Sequence, residues 1–247
     1  MIIAHVLLDT PTLKASSETC RSWYLAALPH LHHTLTLHGR SSDIAGEWLT
    51  SLQRLDEMRL LSFVKRLQVE QSYASPHYRP TILHARSLVP FLALMSVQEL
   101  RITKLDFSVF TLQAQQNLGR CMPMLRSLAL RQPGGTYHQH ICFIGVFPNL
   151  DDLKVIHDRV GQPAPYPAPS LQSAPPLRGR LELMWVGGES FVRDLSKLSG
   201  GFRFRHMDLF EVGGTRFLLD TCADTLETLR IYPAFWAGGG EGYCQAF

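Results

Sequence analysis

The sequence predicts an α/β fold, a solenoid of parallel strands joined by crossover helices, and three observations predict it. A six-residue apolar pattern recurs along most of the chain. Helix-like segments separate its copies. No copy has enough apolar surface to fold alone, so neighbouring copies must stack.

The pattern is apolar, two variable, apolar, one variable, apolar. It reads Val64-Lys65-Arg66-Leu67-Gln68-Val69 at its first full appearance. It returns at Val97–Ile102, Leu125–Leu130, Leu150–Val155, Phe204–Leu209 and Leu226–Ile231. Arg180-Leu181-Glu182-Leu183 lacks the first apolar position, and His33-Thr34-Leu35-Thr36-Leu37 is a candidate opening strand. The central residues are Leu35, Leu67, Leu100, Leu128, Leu153, Leu181, Met207 and Leu229. Their spacing falls mostly within the roughly 20–29 residues of leucine-rich repeats, with longer early steps. Alternate residues of a strand point to opposite faces, so the last two apolar positions go inward together. Parallel strands need crossover connections, usually helical.

The intervening segments supply them. Asp43 to Ser62 carries Ile44, Trp48, Leu52 and Leu55 at near-helical spacing, with Ser41 or Ser42 as cap. Phe107–Arg120 and Thr215–Cys222 read as helical, and Glu189–Leu198 places Phe191, Val192, Leu195 and Leu198 on one face. Tyr73 to Ser96 holds Pro76, Pro80 and Pro90, so any helix there is interrupted or starts late. Residues 161–176 hold six prolines and read as a loop within the array, which spans residues 39–235. Residues 236–247, with Gly238-Gly239-Gly240, read as a disordered tail.

Composition narrows the function classes. The 247 residues are 45% hydrophobic and 18% charged, which suits a chain that buries a core. The net charge of +3 is mild, and Lys and Arg are dispersed, so nucleic acid is not the expected partner. The five cysteines are far apart and include no C-x-x-C pair, which favours a reducing compartment, cytoplasmic or nuclear. Met1 to Leu8 lacks a basic leader and runs into Asp9-Thr10-Pro11, so it is not read as a signal peptide. Ile82 to Val97 contains His84 and Arg86 and falls short of a membrane span.

Residues 1–38 differ from the rest. Ile2, Ile3, Val6 and Leu7 read as the end of one helix. A second runs from Leu13 through Tyr24 to about Pro29. Thr12-Leu13-Lys14-Ala15, Cys20-Arg21-Ser22-Trp23 and the exit Leu31…Leu35-Thr36-Leu37 resemble the second half of an F-box. With leucine-rich-like repeats behind it, the chain is similar to the large fungal F-box-like families. F-boxes open with a Leu-Pro-containing helix, and this sequence starts at Met1 without one, so the resemblance is to an N-terminally truncated F-box. It covers about 35 residues. It implies docking to a Skp-type adaptor of a cullin-RING ubiquitin ligase, with Leu7, Leu8, Leu13, Cys20 and Trp23 as interface or F-box core positions. The repeats would then choose a protein target.

The strands would present that target with two outward rows beside the central leucines. One holds Arg66, Glu99, Ser127, Asp152, Arg180, His206 and Thr228. The other holds Gln68, Arg101, Ala129, Lys154, Glu182, Asp208 and Arg230. The rows mix both signs, which suits a protein ligand better than a phosphate backbone.

Catalytic chemistry is not indicated, and neither cofactor nor metal is expected. There is no G-x-S-x-G, H-E-x-x-H or phosphate-loop motif. His30, His32, His33 and His38 cluster without a paired Cys or carboxylate at ligand spacing. His138 and His140 follow Gly134-Gly135-Thr136-Tyr137 and read as an exposed loop. Asp151 and Asp152 are neighbours that strand alternation sends to opposite faces.

Overall fold

A computed structural model describes residues 10–39, 44–71, 94–107, 111–157, 176–187, 189–198 and 201–232. Helices α1 (Thr10–Ser17) and α2 (Arg21–Leu31) precede β1 (Thr34–Gly39). There follow α3 (Ile44–Glu57), a 3-10 turn (Leu61–Phe63), β2 (Arg66–Gln71), β3 (Glu99–Thr103), α4 (Leu112–Cys121) and β4 (Ser127–Arg131). Then come α5 (Tyr137–Gly145), β5 (Asp152–Ile156), β6 (Leu177–Met184), α6 (Glu189–Leu198), β7 (Phe202–Phe210), α7 (Thr215–Cys222) and β8 (Thr228–Tyr232).

The strands form one eight-stranded sheet, every pair parallel, in which spatial order equals sequence order. The eight central residues predicted from the repeat, Leu35 to Leu229, occupy a single register column. The second inward column runs Leu37, Val69, Ile102, Leu130, Val155, Leu183, Leu209 and Ile231. The helices pack on that inward face: Trp48 and Leu52 of α3, Leu118 of α4, Phe143 of α5, Phe191 and Leu195 of α6 and Leu218 of α7 join one apolar cluster with the strand leucines. The opposite face of the sheet is left open.

The weak repeat at Arg180 has a structural cause. Strand β6 shifts register against β7 between Gly179 and Arg180. Gly179 has φ +85° and lies against the Asp151 backbone, where an added Cβ would sit 2.0 Å from the carbonyl oxygen. Only glycine tolerates both conditions. The close approach lets the Arg180 N–H donate to that carbonyl at 2.8 Å, so the ladder resumes beyond the irregularity.

The exits of four strands share a further regularity. Lys104, Gln132, Trp185 and Glu211 each follow directly on a strand, and each has φ between 49° and 58°. The left-handed region costs a non-glycine residue about 1–2 kcal/mol. It turns the chain toward its crossover while each residue's N–H still reaches the next strand, as from Lys104 to Arg131 O at 2.8 Å and from Trp185 to Phe210 O at 2.8 Å.

Several elements differ from the sequence expectation. The segment expected as one helix from Leu13 to Pro29 is two, broken at Glu18–Cys20, with Cys20 extended at the start of α2. The Ser17 hydroxyl donates to Lys14 O at 2.6 Å, the local competition by which serine closes a helix. Helix α4 starts at Leu112, not Phe107: the Thr111 side chain caps it by accepting from Ala114 N–H, while Phe107 is buried in the core. The stretch read as an exposed loop at His138 and His140 is helix α5. Its start is a reciprocal capping box: Thr136 Oγ1 accepts from Gln139 N–H at 3.3 Å, and Gln139 Oε1 accepts from Thr136 N–H at 2.8 Å. His140 is consequently buried rather than exposed. The expected helix end at Ile2–Leu7, the caps Ser41 and Ser42, the proline loop up to Pro175 and the tail 236–247 lie outside the described residues. Among the described residues no helix is long and apolar enough to cross a membrane.

Candidate interaction face

The open face is built by strand alternation. Each strand sends its first, third and fifth residues of the shared register outward, so three rows cross the sheet. The first row holds Arg66, Glu99, Ser127, Asp152, Arg180, His206 and Thr228. The second holds Gln68, Arg101, Ala129, Lys154, Glu182, Asp208 and Arg230. All the row residues expected from the sequence therefore share one face. Ser127 and Ala129 are small between long neighbours, and they leave a dip of about 180 Å³.

Ion pairs run along these rows, within strands and between them. Glu99 accepts from Arg66 Nε and from Arg101 Nε, each at 2.5 Å. Lys154 pairs with Glu182, and Arg180 donates to Asp208 at 2.6 Å, with Arg230 at 3.9 Å from the same carboxylate. Burial alone would raise Glu99, but the two guanidinium groups outweigh it and hold its carboxyl below the usual range. The Asp208 hydrogen bond raises Arg180. Burial, together with Asp151 and Glu99, raises Asp152 against the pull of Arg180.

A third row was missed by sequence reasoning because it lies one residue beyond the six-residue pattern. It runs His38, Glu70, Thr103, Arg131, Ile156, Met184, Phe210 and Tyr232. The row is polar over β1–β4 and apolar over β5–β8. The signal was present: each of the last four patterns is followed at once by a large apolar residue. Phe210 stacks at 5.9 Å from Tyr232 and edge-on at 5.6 Å from Trp185. A depression of about 320 Å³ opens between this apolar strip and the arginines of β6 and β8.

On the helix side, the two histidines His140 and His157 face each other with ring centroids 5.2 Å apart. Tyr137, Phe107 and Phe191 enclose them edge-on. His140 Nε2 lies 2.8 Å from Gly134 O. Burial pushes His140 down to about 4, against Gly134 O and Asp106, and burial with His140 pushes His157 down to about 3. Both rings are thus neutral near pH 7 and act as core aromatics. Among the described residues no group of three His, Cys, Asp or Glu side chains could hold a metal.

The residues implied by the F-box resemblance divide. Leu13 is buried on α1, a packing position. Cys20 and Trp23 are exposed, as are Tyr24 and Leu25 next to Trp23 on α2. Leu7 and Leu8 lie outside the described residues. Compared with known proteins, the chain matches no family model, no curated protein and no solved structure.

Proposed function

We propose that the protein is a non-catalytic, leucine-rich-repeat-like binding module whose open sheet face recognises another protein, as the target-recognition subunit of an F-box-type ubiquitin ligase. One observation carries the binding half of this reading. Eight in-register strands hold three rows of side chains on a face outside the main apolar cluster, and those rows combine arginines, carboxylates and aromatic rings. Arginine and aromatic residues are the types enriched where proteins bind proteins. The repeat departs from the leucine-rich consensus where that carries Asn or Cys, three residues past the second inward position. Leu105, Pro133, Val186 and Val212 stand there, so the strand exits are held by apolar contacts instead.

The ligase half rests on the Cys20-Arg21-Ser22-Trp23 resemblance and is supported by the exposure of Trp23, a large apolar side chain left open to an adaptor. The second reading is a stand-alone scaffold with the same face and no ubiquitin role. It shares the open face and takes the burial of Leu13 as plain helix packing. Co-purification with a Skp-type adaptor separates the two. Capture that is lost in Trp23→Ala supports the ligase subunit. No capture by a folded chain rejects it and leaves the scaffold.

A further inference from the structure

The charges of the open face are layered by depth. The Glu99 side chain is 19% exposed, between Arg66 at 37% and Arg101 at 41%. Asp208 is 17% exposed, between Arg180 at 52% and Arg230 at 63%. Each carboxylate is sunk beneath two guanidinium groups. Glu182 beside them is 21% exposed and paired with Lys154, so a partner approaching the face meets the arginines first. Arg230 lies 3.9 Å from Asp208, beyond hydrogen-bond distance, so that contact leaves its N–H donors unspent. Beside these arginines lie the apolar side chains of Met184, Phe210 and Tyr232, around the depression of about 320 Å³.

We propose that this depression, at the β6–β8 end of the open face, binds an acidic segment of a protein partner. One apolar side chain of that segment packs on Met184, Phe210 and Tyr232 while its carboxylates bind Arg180 and Arg230. The chemistry is complementary on both counts. A guanidinium matches a carboxylate in a two-point, charge-assisted contact. The aromatic strip offers the apolar anchor around which such contacts gain strength by excluding water. Arg180 and Arg230 converge on the one Asp208 carboxylate, so both guanidinium groups are within reach of a single short extended segment. Two carboxylates on the same face of that segment, beside the anchor, therefore fit.

This inference rests on the open-face reading above, and its test separates the two. The full chain is used to select binders from a displayed library of random 12-residue peptides. The expected winners carry two or more Asp or Glu around an aliphatic or aromatic residue. They lose at least tenfold in affinity to Arg230→Glu and to Phe210→Ala, and they weaken as salt rises. Arg230→Glu changes only an exposed side chain on the edge strand, so its folding is not at issue, and far-UV circular dichroism checks it. Winners without acidic residues that are still lost to Tyr232→Ala or Arg66→Glu would overturn the acidic segment and keep the open face. Winners indifferent to all four substitutions, or no winners, would overturn both. Displacement of an acidic winner by a 12-nucleotide single strand at equal concentration would overturn it in favour of nucleic acid.

Discussion

Strands β7 and β8 carry the same apolar spacing and meet different fates. Met207 and Leu209 of β7 are each 1% exposed, whereas Leu229 and Ile231, their register partners on β8, are 38% and 47% exposed. The residue pattern is shared, and what differs is the number of described neighbours. β7 has a strand on each side and two flanking helices, and β8 has a strand on one side. Burial in this array therefore belongs to the stack rather than to the repeat, as expected for a structure in which each unit contacts only its neighbours.

Substitutions can break or sharpen this contrast. The largest effect is expected at the interior strand: Leu209→Ala removes side-chain volume from a filled core and should cost about 2–5 kcal/mol in urea unfolding. Gly179→Ala should cost about 2–3 kcal/mol or more, since it adds a side chain at positive φ against the Asp151 carbonyl. Ile231→Ala, the same kind of truncation on the edge strand, should cost less than about 1 kcal/mol. Equal losses at Leu209 and Ile231 would contradict the contrast. The smallest effect has the opposite sign. Gln132→Gly relieves a left-handed residue at φ 50° and should stabilise by about 1 kcal/mol or less, offset in part by the freedom glycine has when unfolded.

Acidity probes the interior by another route. Unfolded, His140 and His157 take up protons near pH 6.5; folded, they resist until about 4 and about 3. The unfolded state therefore binds more protons across that window, and stability falls as pH drops through it. The melting temperature should hold above pH 7 and decline from about 6.5 downward. His157→Phe should flatten the decline, and an unchanged slope in that variant would assign the pH dependence elsewhere.

The inward columns were legible because an apolar residue at fixed spacing has one place to go in a stacked strand, and all eight central residues reached it. The charged rows were legible by the same alternation. Helix α5 was hidden because Gly134-Gly135 and two histidines imitate a loop; the overlooked signal was Thr136-x-x-Gln139 ahead of Ile141–Ile144. The apolar third row escaped a reading that stopped at the last inward residue, although Ile156, Met184, Phe210 and Tyr232 stand in plain view. The left-handed strand exits were not legible at all, because Lys104, Gln132, Trp185 and Glu211 are residue types that seldom adopt that conformation. Their geometry is imposed by the turn from strand to crossover.

The central claim is that the open face, and not the helix side, is where a partner binds. The most direct measurement compares charge reversal on the two sides. A variant carrying Arg66→Glu, Arg101→Glu and Arg230→Glu is set against one carrying Arg193→Glu and Lys197→Glu on α6, with partner capture read quantitatively for both. The account predicts capture lost in the first and retained in the second, with both folded. Capture retained in the first and lost in the second would contradict it and move the binding surface to the helices.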